Sequence, residues 1–397
     1  MFTARRLYRG PEHRSGRWRN QRNHLMAEKF SLKDDLFNPT TVGRLGQYFE
    51  KAGVFDAAPF VSEVLAGMAP LELKARINWI AQVLANHLPQ DFPGAAQAIT
   101  SALPPPLDPT LRDDDFGHFI YAPLGVYVEN HGLEDHLDRS LDLLEAVTQR
   151  FSMEFSIRAF LNRWPDETLA RMDEWRNHDH YHVRRLVSEG TRPKLPWGQG
   201  IGLTTAQTLP LLDRLHSDNT RFVTRSVANH LNDITKSAPE LVLERLKAWQ
   251  RQGDQDAKEL LWMRKHALRG LIKAGHAGAM EHLGYQPNVD VTLNNFSITP
   301  TSIARGDAVQ VAVTLTTKDD APLIVDYVID FVKANGTLAP KVFKFKVLDA
   351  KAGKPVTLTK RHLFKDNATT FTLHPGAHRA NVQVNGRIIG TQGFTLT

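Results

Sequence analysis

Residues 176–197 read RNHDHYHVRRLVSEGTRPKLPW, a short helix followed by the loop that breaks it. The helical part is HVRRLVSEG. His182, Arg185 and Glu189 recur at the three- and four-residue spacing that brings side chains onto one face. Val183, Leu186 and Val187 form an apolar stripe on another. Gly190 stops the helix, and Pro193 and Pro196 prevent its resumption. Trp197 rides on that loop. Cations, a carboxylate and an aromatic ring are therefore expected close together. The alternative is a surface helix with an Arg185–Glu189 ion pair and no further role.

Outward from this stretch, the same phrase recurs. SIRAF (156–160), HVRRL (182–186), FVTRSVA (222–228) and LWMRKHALRG (261–270) each place an Arg close after an apolar residue and then continue with small apolar residues. Arg184 and Arg225 are 41 residues apart, and Arg225 and Arg264 are 39 apart. A helical period near 40 is the mark of HEAT-type arrays, in which each repeat buries its apolar face on the next. Equivalent positions then line one concave surface, here marked by Arg. Two readings of these arginines stay open: ion-paired struts between repeats, or a cationic groove for nucleic acid. The helical spacing runs from about Leu36 to Lys273, with Pro- and Asp-rich breaks at LPPPLDP and at Asp113–Asp115.

Near Gly284–Pro287 the period changes from helical to alternating. Segments such as AVQVAVTLTT, LIVDYVIDFV and KVFKFKVLDA read as strands, separated by turn signals at Arg305-Gly306-Asp307, Asn335-Gly336 and Asn385-Gly386. About seven strands in this span predict an immunoglobulin-like sandwich. The expected domains are a basic leader (1–25), a helical array (26–285) and a β-sandwich (286–397).

The chain has 397 residues, no Cys and a net charge of +6. The absence of Cys excludes disulfides, thiolate metal sites and a Cys nucleophile. No apolar run is long enough to span a bilayer. The excess charge belongs to the leader, where seven arginines face Glu12 alone. The leader reads as a disordered extension ahead of a start at Met26, the alternative being a functional basic arm. The remainder is polarised. Residues 26–149 hold 8 basic and 18 acidic residues, 150–285 hold 21 and 16, and 286–397 hold 13 and 8. A polyanion would meet the middle and the end of the chain.

No phosphate loop, zinc spacing or nucleophile elbow is present. HDHYH at 178–182 lacks a partner at fixed helical spacing, so no metal site is expected. Three carboxylates stand out on the basic surface. Glu154 sits one turn before Arg158 in FSMEFSIRAFL, Glu189 one turn after Arg185, and Asp233 ends the row Arg225, Asn229, Asp233. Each is either half of an ion pair or a group that faces a positive centre on a ligand or activates water.

SEGTRPKLPW, preceded by HVRRL and followed by RSVANHLND and RKHALRGLIKAGH, resembles the AlkC branch of the AlkC/AlkD alkylpurine DNA glycosylases. The likeness covers about residues 30–285, its motifs running from Phe151 to Gly284. The C-terminal part resembles the immunoglobulin-like domain of some members. The resemblance implies a multi-domain chain, an all-α HEAT-like repeat solenoid followed by an all-β sandwich. It further implies a monofunctional glycosylase that releases cationic N-alkylated bases from duplex DNA. The bases are 3-methyladenine first, with 3-methylcytosine and 1-methyladenine as further candidates. The duplex would lie in the concave face, without a deep nucleobase pocket. Carboxylates would stabilise an oxocarbenium-like sugar while water attacks.

On this reading Glu154 is the first choice for the catalytic carboxylate, followed by Glu189 and Asp233, with Trp197 as an aromatic contact. The tryptophan–aspartate pair of the AlkD branch has no clear counterpart. Arg158, His182, Arg184, Arg185, Arg192, Arg225, Asn229, Arg264, Arg269 and Arg387 are the expected DNA contacts. No metal, cofactor or membrane is expected, and the protein is expected to act as a cytoplasmic, nucleoid-associated monomer. The rivals are a non-catalytic damage-binding scaffold and a protein-binding scaffold. The cationic turns at Arg305-Gly306, Lys351–Lys354 and Asn385–Arg387 are expected to be exposed, so that the sandwich could close over bound DNA.

Overall fold

The computed structural model describes residues 31–111, 113, 116–366 and 371–397. The basic leader, and with it every expectation about it, lies outside the described residues.

The helical part runs α1 (Leu32–Leu36), α2 (Pro39–Lys51), α3 (Ala57–Met68), α4 (Leu73–His87), α5 (Phe92–Ala102), α6 (Ala122–Gly132) and α7 (Leu137–Thr148). It continues with α8 (Ile157–Arg163), α9 (Pro165–Trp175), α10 (Tyr181–Gly190), α11 (Thr205–Leu215) and α12 (Arg221–Ile234). The last helices are α13 (Pro239–Gln252), α14 (Ala257–Ala267), α15 (Arg269–Ala274) and α16 (Ala277–His282). Local chemistry sets many of the ends. Asn38 caps α2 by accepting from the amides of Thr40 and Thr41, with Pro39 at the first helical position. Thr204 and Gln207 form a capping box at α11.

The strands are β1 (Val291–Thr299), β2 (Ser302–Ile303), β3 (Ala308–Thr317), β4 (Ala321–Val332), β5 (Leu338–Ala350), β6 (Val356–Leu363), β7 (Gly376–Val384) and β8 (Arg387–Leu396). They form a three-stranded sheet, β1-β3-β6, and a five-stranded sheet, β2-β8-β7-β4-β5. Alternation does the work expected of it. Val309, Val311, Val313 and Leu315 of β3 share one core with Leu323, Val325, Tyr327 and Ile329 of β4. The result is the immunoglobulin-like sandwich that the turn spacing predicts.

The described chain packs as two compact units. One contains the chain up to Ile234 with Gln252–Met263, and the other contains Thr235–Arg251 with Arg264–Thr397. The division does not follow the change from helix to strand near residue 286, because α13, α15 and α16 group with the sandwich while most of α14 groups with the first unit.

Within the second unit, the β7–β8 turn shows why. A Cβ on Gly386 would lie 2.7 Å from the Cα of Gly275, which caps α15 in the left-handed region. Only two glycines permit that approach. Asn385 is 1% exposed, and its side chain donates to the carbonyls of Gln286 and Pro322. The expectation that this turn is an open tip is therefore corrected. Arg387 itself is exposed but donates to the Val289 carbonyl at 2.9 Å. The turns at Arg305-Gly306 and Lys351–Lys354 are exposed.

Candidate active site

The first unit centres on α10, which packs against α9, α11 and α12. His180 caps it by accepting from the His182 amide. Val183, Leu186 and Val187 are fully buried, but so is most of the supposedly polar face: His182 is 1% exposed and Glu189 5%. The helix is thus not a surface helix. His182 packs against the rings of Tyr181 and Phe222 at 4.6 and 4.8 Å. As a core residue it is unavailable to DNA, which corrects the sequence expectation.

The three carboxylates marked out in the sequence are brought together. Arg185 donates to Glu154 at 2.8 Å and to Ser152 at 3.0 Å, and approaches Glu189 at 3.7 Å. Arg192 donates to Glu189 at 2.6 Å and to Asp233 at 2.9 Å. The order is Glu154–Arg185–Glu189–Arg192–Asp233, an unbroken chain of alternating charge. Ser226 of α12 adds a 2.6 Å hydrogen bond to Glu189. His230, one turn on, contacts the Ser188 carbonyl at 3.0 Å. Ser152, Ser226 and His230 were not singled out in the sequence. The one available signal was the four-residue spacing of Ser226 and His230 on the face of α12 that meets α10.

Burial alone would push the Glu189 carboxyl up. Arg185 and Arg192 nearby, and the hydrogen bonds from Ser226 and Arg192, outweigh it and hold Glu189 well below the usual range. Burial works against charge on Arg185, but Glu154 and Glu189 keep it firmly protonated. Burial lowers His230 to about 4, so at neutral pH it is an uncharged imidazole.

Exposure separates the three acids. The Glu154 side chain is 16% exposed, against 6% for Glu189 and 4% for Asp233. Glu154 also does not lie on a helix with Arg158. It precedes α8, and its partner comes from α10.

Arg158 is 1% exposed. Its side chain donates to the carbonyls of Gly190, Arg192 and Gln199 at 2.8, 2.9 and 2.5 Å. It is sealed beneath the loop that carries Trp197 and cannot reach a phosphate. Trp197 is 58% exposed, and its backbone adopts φ = 67°. Burial and the neighbouring Arg192 push the Arg158 guanidinium below its usual value, with Glu154, Glu189 and Asp233 acting the other way.

The repeated arginines have partners of their own. Arg184 donates to Asp218 at 2.5 Å and to the carbonyls of His178 and Asp179. Arg225 pairs with Asp113. In the second unit Arg264 donates to His282 at 2.9 Å, and Arg269 to the His266 carbonyl. Arg184 behaves as the strut between repeats that the sequence left open. Asn229 is half-buried on α12 between Arg225 and Asp233. Among the described residues no group of His, Asp and Glu is placed to hold a metal ion. No described helix is long and apolar enough to cross a membrane.

Three comparisons bear on this arrangement. The family model described as the C-terminal Ig-like domain of the uncharacterised protein YhaZ matches residues 292–397. The uncharacterised protein YhaZ of Bacillus subtilis (strain 168) is 35% identical over 334 residues, covering 82% of this chain and 88% of its own length. The alkylpurine DNA glycosylase AlkC of Pseudomonas fluorescens, solved bound to DNA containing an abasic site analogue, is 33% identical. It superposes with a TM-score of 0.82 over 92% of this chain and 99% of its own. The class is thus a HEAT-like helical solenoid carrying a C-terminal immunoglobulin-like domain. Within that class the chain belongs to the AlkC family, in the form that YhaZ shares.

Proposed function

We propose that this protein is a DNA glycosylase that hydrolyses the N-glycosidic bond of cationic N-alkylated bases in duplex DNA, 3-methyladenine foremost. One observation carries the reading. Three carboxylates converge in an array of guanidinium groups, and Glu154 alone is open enough to meet a ligand. The relative with AlkC chemistry in its name supports it.

N-alkylation turns the base into a cation and a good leaving group. The enzyme then has to stabilise the positive charge that develops on the sugar and admit water. Glu154 faces that charge, held in place by Arg185 and Ser152. Glu189 and Asp233 neutralise Arg185 and Arg192 from behind, so that these cations do not oppose the oxocarbenium-like sugar. The exposed indole of Trp197 offers a π face to the cation. Contacts to the duplex backbone fall to Arg225, Asn229, Arg264 and Arg269, and the sandwich adds its open cationic turns. The protein acts as a cytoplasmic monomer on nucleoid DNA.

The test is single-turnover release of free 3-methyladenine from methylated duplex. Glu154→Gln should lower the rate by about two orders of magnitude, the scale of losing one preorganised electrostatic group, with duplex affinity nearly intact. Release at the wild-type rate from this variant removes Glu154 from the site. Binding without any release by the wild-type protein leaves a non-catalytic damage-binding scaffold.

A further inference from the structure

Arg158 has the composition of a phosphate contact and the placement of something else. The carbonyls it binds belong to the two limbs of one loop: Gly190 and Arg192 before Trp197, Gln199 after it. The guanidinium spreads its donors over a rigid planar fork, so that Nη1 meets Gly190 and Arg192 on one limb while Nε meets Gln199 on the other. A lysine ammonium carries its three donors on a single nitrogen at the end of a flexible stem and lacks that fixed fork. The loop also runs close over the Arg158 stem: a Cβ added at Gly198 would stand 3.2 Å from its Cδ.

Two further side chains fasten the same loop. Asn162, one turn further along α8, donates to the Gly200 carbonyl at 2.9 Å and accepts from the Gly202 amide at 3.3 Å. Lys74 of α4 donates to the carbonyl of Trp197 itself at 2.7 Å. What they hold is a residue in a conformation that bulky side chains avoid. Trp197 has φ = 67° while the residue is 58% exposed, so burial of the side chain does not hold it there. Arg192, whose backbone Arg158 pins, sends its own side chain to Glu189 and Asp233.

We infer that Arg158 is a positioning residue. It acts through the 190–202 loop, setting the Trp197 indole and the Arg192 guanidinium for the reaction, with Asn162 and Lys74 as secondary fastenings. It makes no contact with DNA. The catalytic consequence rests on the glycosylase reading above; the hold on the loop does not.

The experiment compares the full-length wild-type protein with Arg158→Lys, Trp197→Ala, the double variant, and the pair Asn162→Ala with Lys74→Met. Three quantities are measured: single-turnover 3-methyladenine release, duplex affinity against salt, and amide exchange by residue. Arg158→Lys is expected to slow release about tenfold. The salt slope should not move, and exchange should rise at 190–202, including Gly198 and Gly202, but not in the other helices. Adding Trp197→Ala to it should cost less than Trp197→Ala costs alone. Should Arg158→Lys not fold, the pair Asn162→Ala with Lys74→Met, which leaves the buried guanidinium in place, should raise exchange in the same segment. A salt slope lowered by about one unit with unchanged exchange would make Arg158 a phosphate contact and overturn the inference. Exchange that rises evenly across the helices, or fully additive effects with Trp197→Ala, would overturn it as well. If the wild-type protein releases no base, the glycosylase reading fails, and the exchange pattern still decides whether Arg158 holds the loop.

Discussion

The loop around Trp197 and the β7–β8 turn around Asn385 invite comparison, because each forces a residue other than glycine into the left-handed region. Trp197 has φ = 67° and Asn385 φ = 44°. There the likeness ends. Asn385 is 1% exposed, and its side chain is fully engaged. It accepts from the Ile324 amide at 2.8 Å and donates to Gln286 and Pro322, and its own amide reaches the Ile324 carbonyl. Asn tolerates this conformation better than most residues. Trp does not, and the Trp197 indole is left in solvent while other residues hold its backbone. A left-handed residue whose side chain makes its own bonds is part of the framework. One whose side chain stands idle, fastened from outside, is being presented.

Substitution at the two positions should therefore have opposite signatures. Asn385→Ala removes several buried hydrogen bonds and the tolerance for a positive φ. It should destabilise the protein by about 2–3 kcal/mol, read as a lower melting temperature, with base release per folded molecule unchanged. Trp197→Gly relieves strain on the order of 1 kcal/mol, offset by the greater freedom of glycine when unfolded. Its melting temperature should hardly move, while base release falls about tenfold. Loss of stability at 197 with intact release would reverse the assignment.

Arg184 and Arg185 extend the contrast to adjacent residues. Arg185 belongs to the acid chain, and Arg184 to Asp218 and two carbonyls. Arg184→Ala should cost about 1–2 kcal/mol of stability, since it leaves a carboxylate that is 4% exposed with only its hydrogen bonds from Thr220. The salt dependence of duplex binding should not change. A slope lowered by about one unit would return Arg184 to the DNA-contacting set.

Acidification should strike the framework beneath the site. His230 titrates near 4 when folded because it is buried, against an ordinary value of 6.5. Between those values the unfolded chain takes up the proton and the folded protein does not. The stability that neutral His230 provides is complete above pH 6.5 and is lost as pH falls toward 4. His230→Gln should flatten the decline of melting temperature across that window. An unchanged decline would mean that other buried groups govern it.

The helix-to-strand change was legible because periods of 3.6 and 2 differ over any ten residues, and the three acids because each stood out against a basic or apolar run. Their partners were not legible. Arg184, Arg225 and Arg264 carry one local pattern yet meet Asp218, Asp113 and His282, residues that only the folded chain brings near. FSMEFSIRAFL has helical spacing throughout, which pairs Glu154 with Arg158, while α8 begins only at Ile157 and the fold gives Glu154 to Arg185. A guanidinium looks the same in sequence whether it faces a phosphate or a backbone carbonyl.

The smallest effect is expected at Arg387, next to the turn that Asn385 and Gly386 bury. Its side chain already donates to the Val289 carbonyl, yet the residue is exposed, so part of its fork of donors faces water. Only a weak, screened interaction with a phosphate is open to it. Arg387→Ala should weaken duplex binding by no more than about twofold and lower the salt slope by much less than the one unit of a full phosphate contact. The melting temperature should fall slightly, through loss of the Val289 hydrogen bond. A full unit of slope with an unchanged melting temperature would show that this turn serves DNA as well as the framework. In that case burial at Asn385 would be what aims Arg387, and the two left-handed residues would be variants of one device.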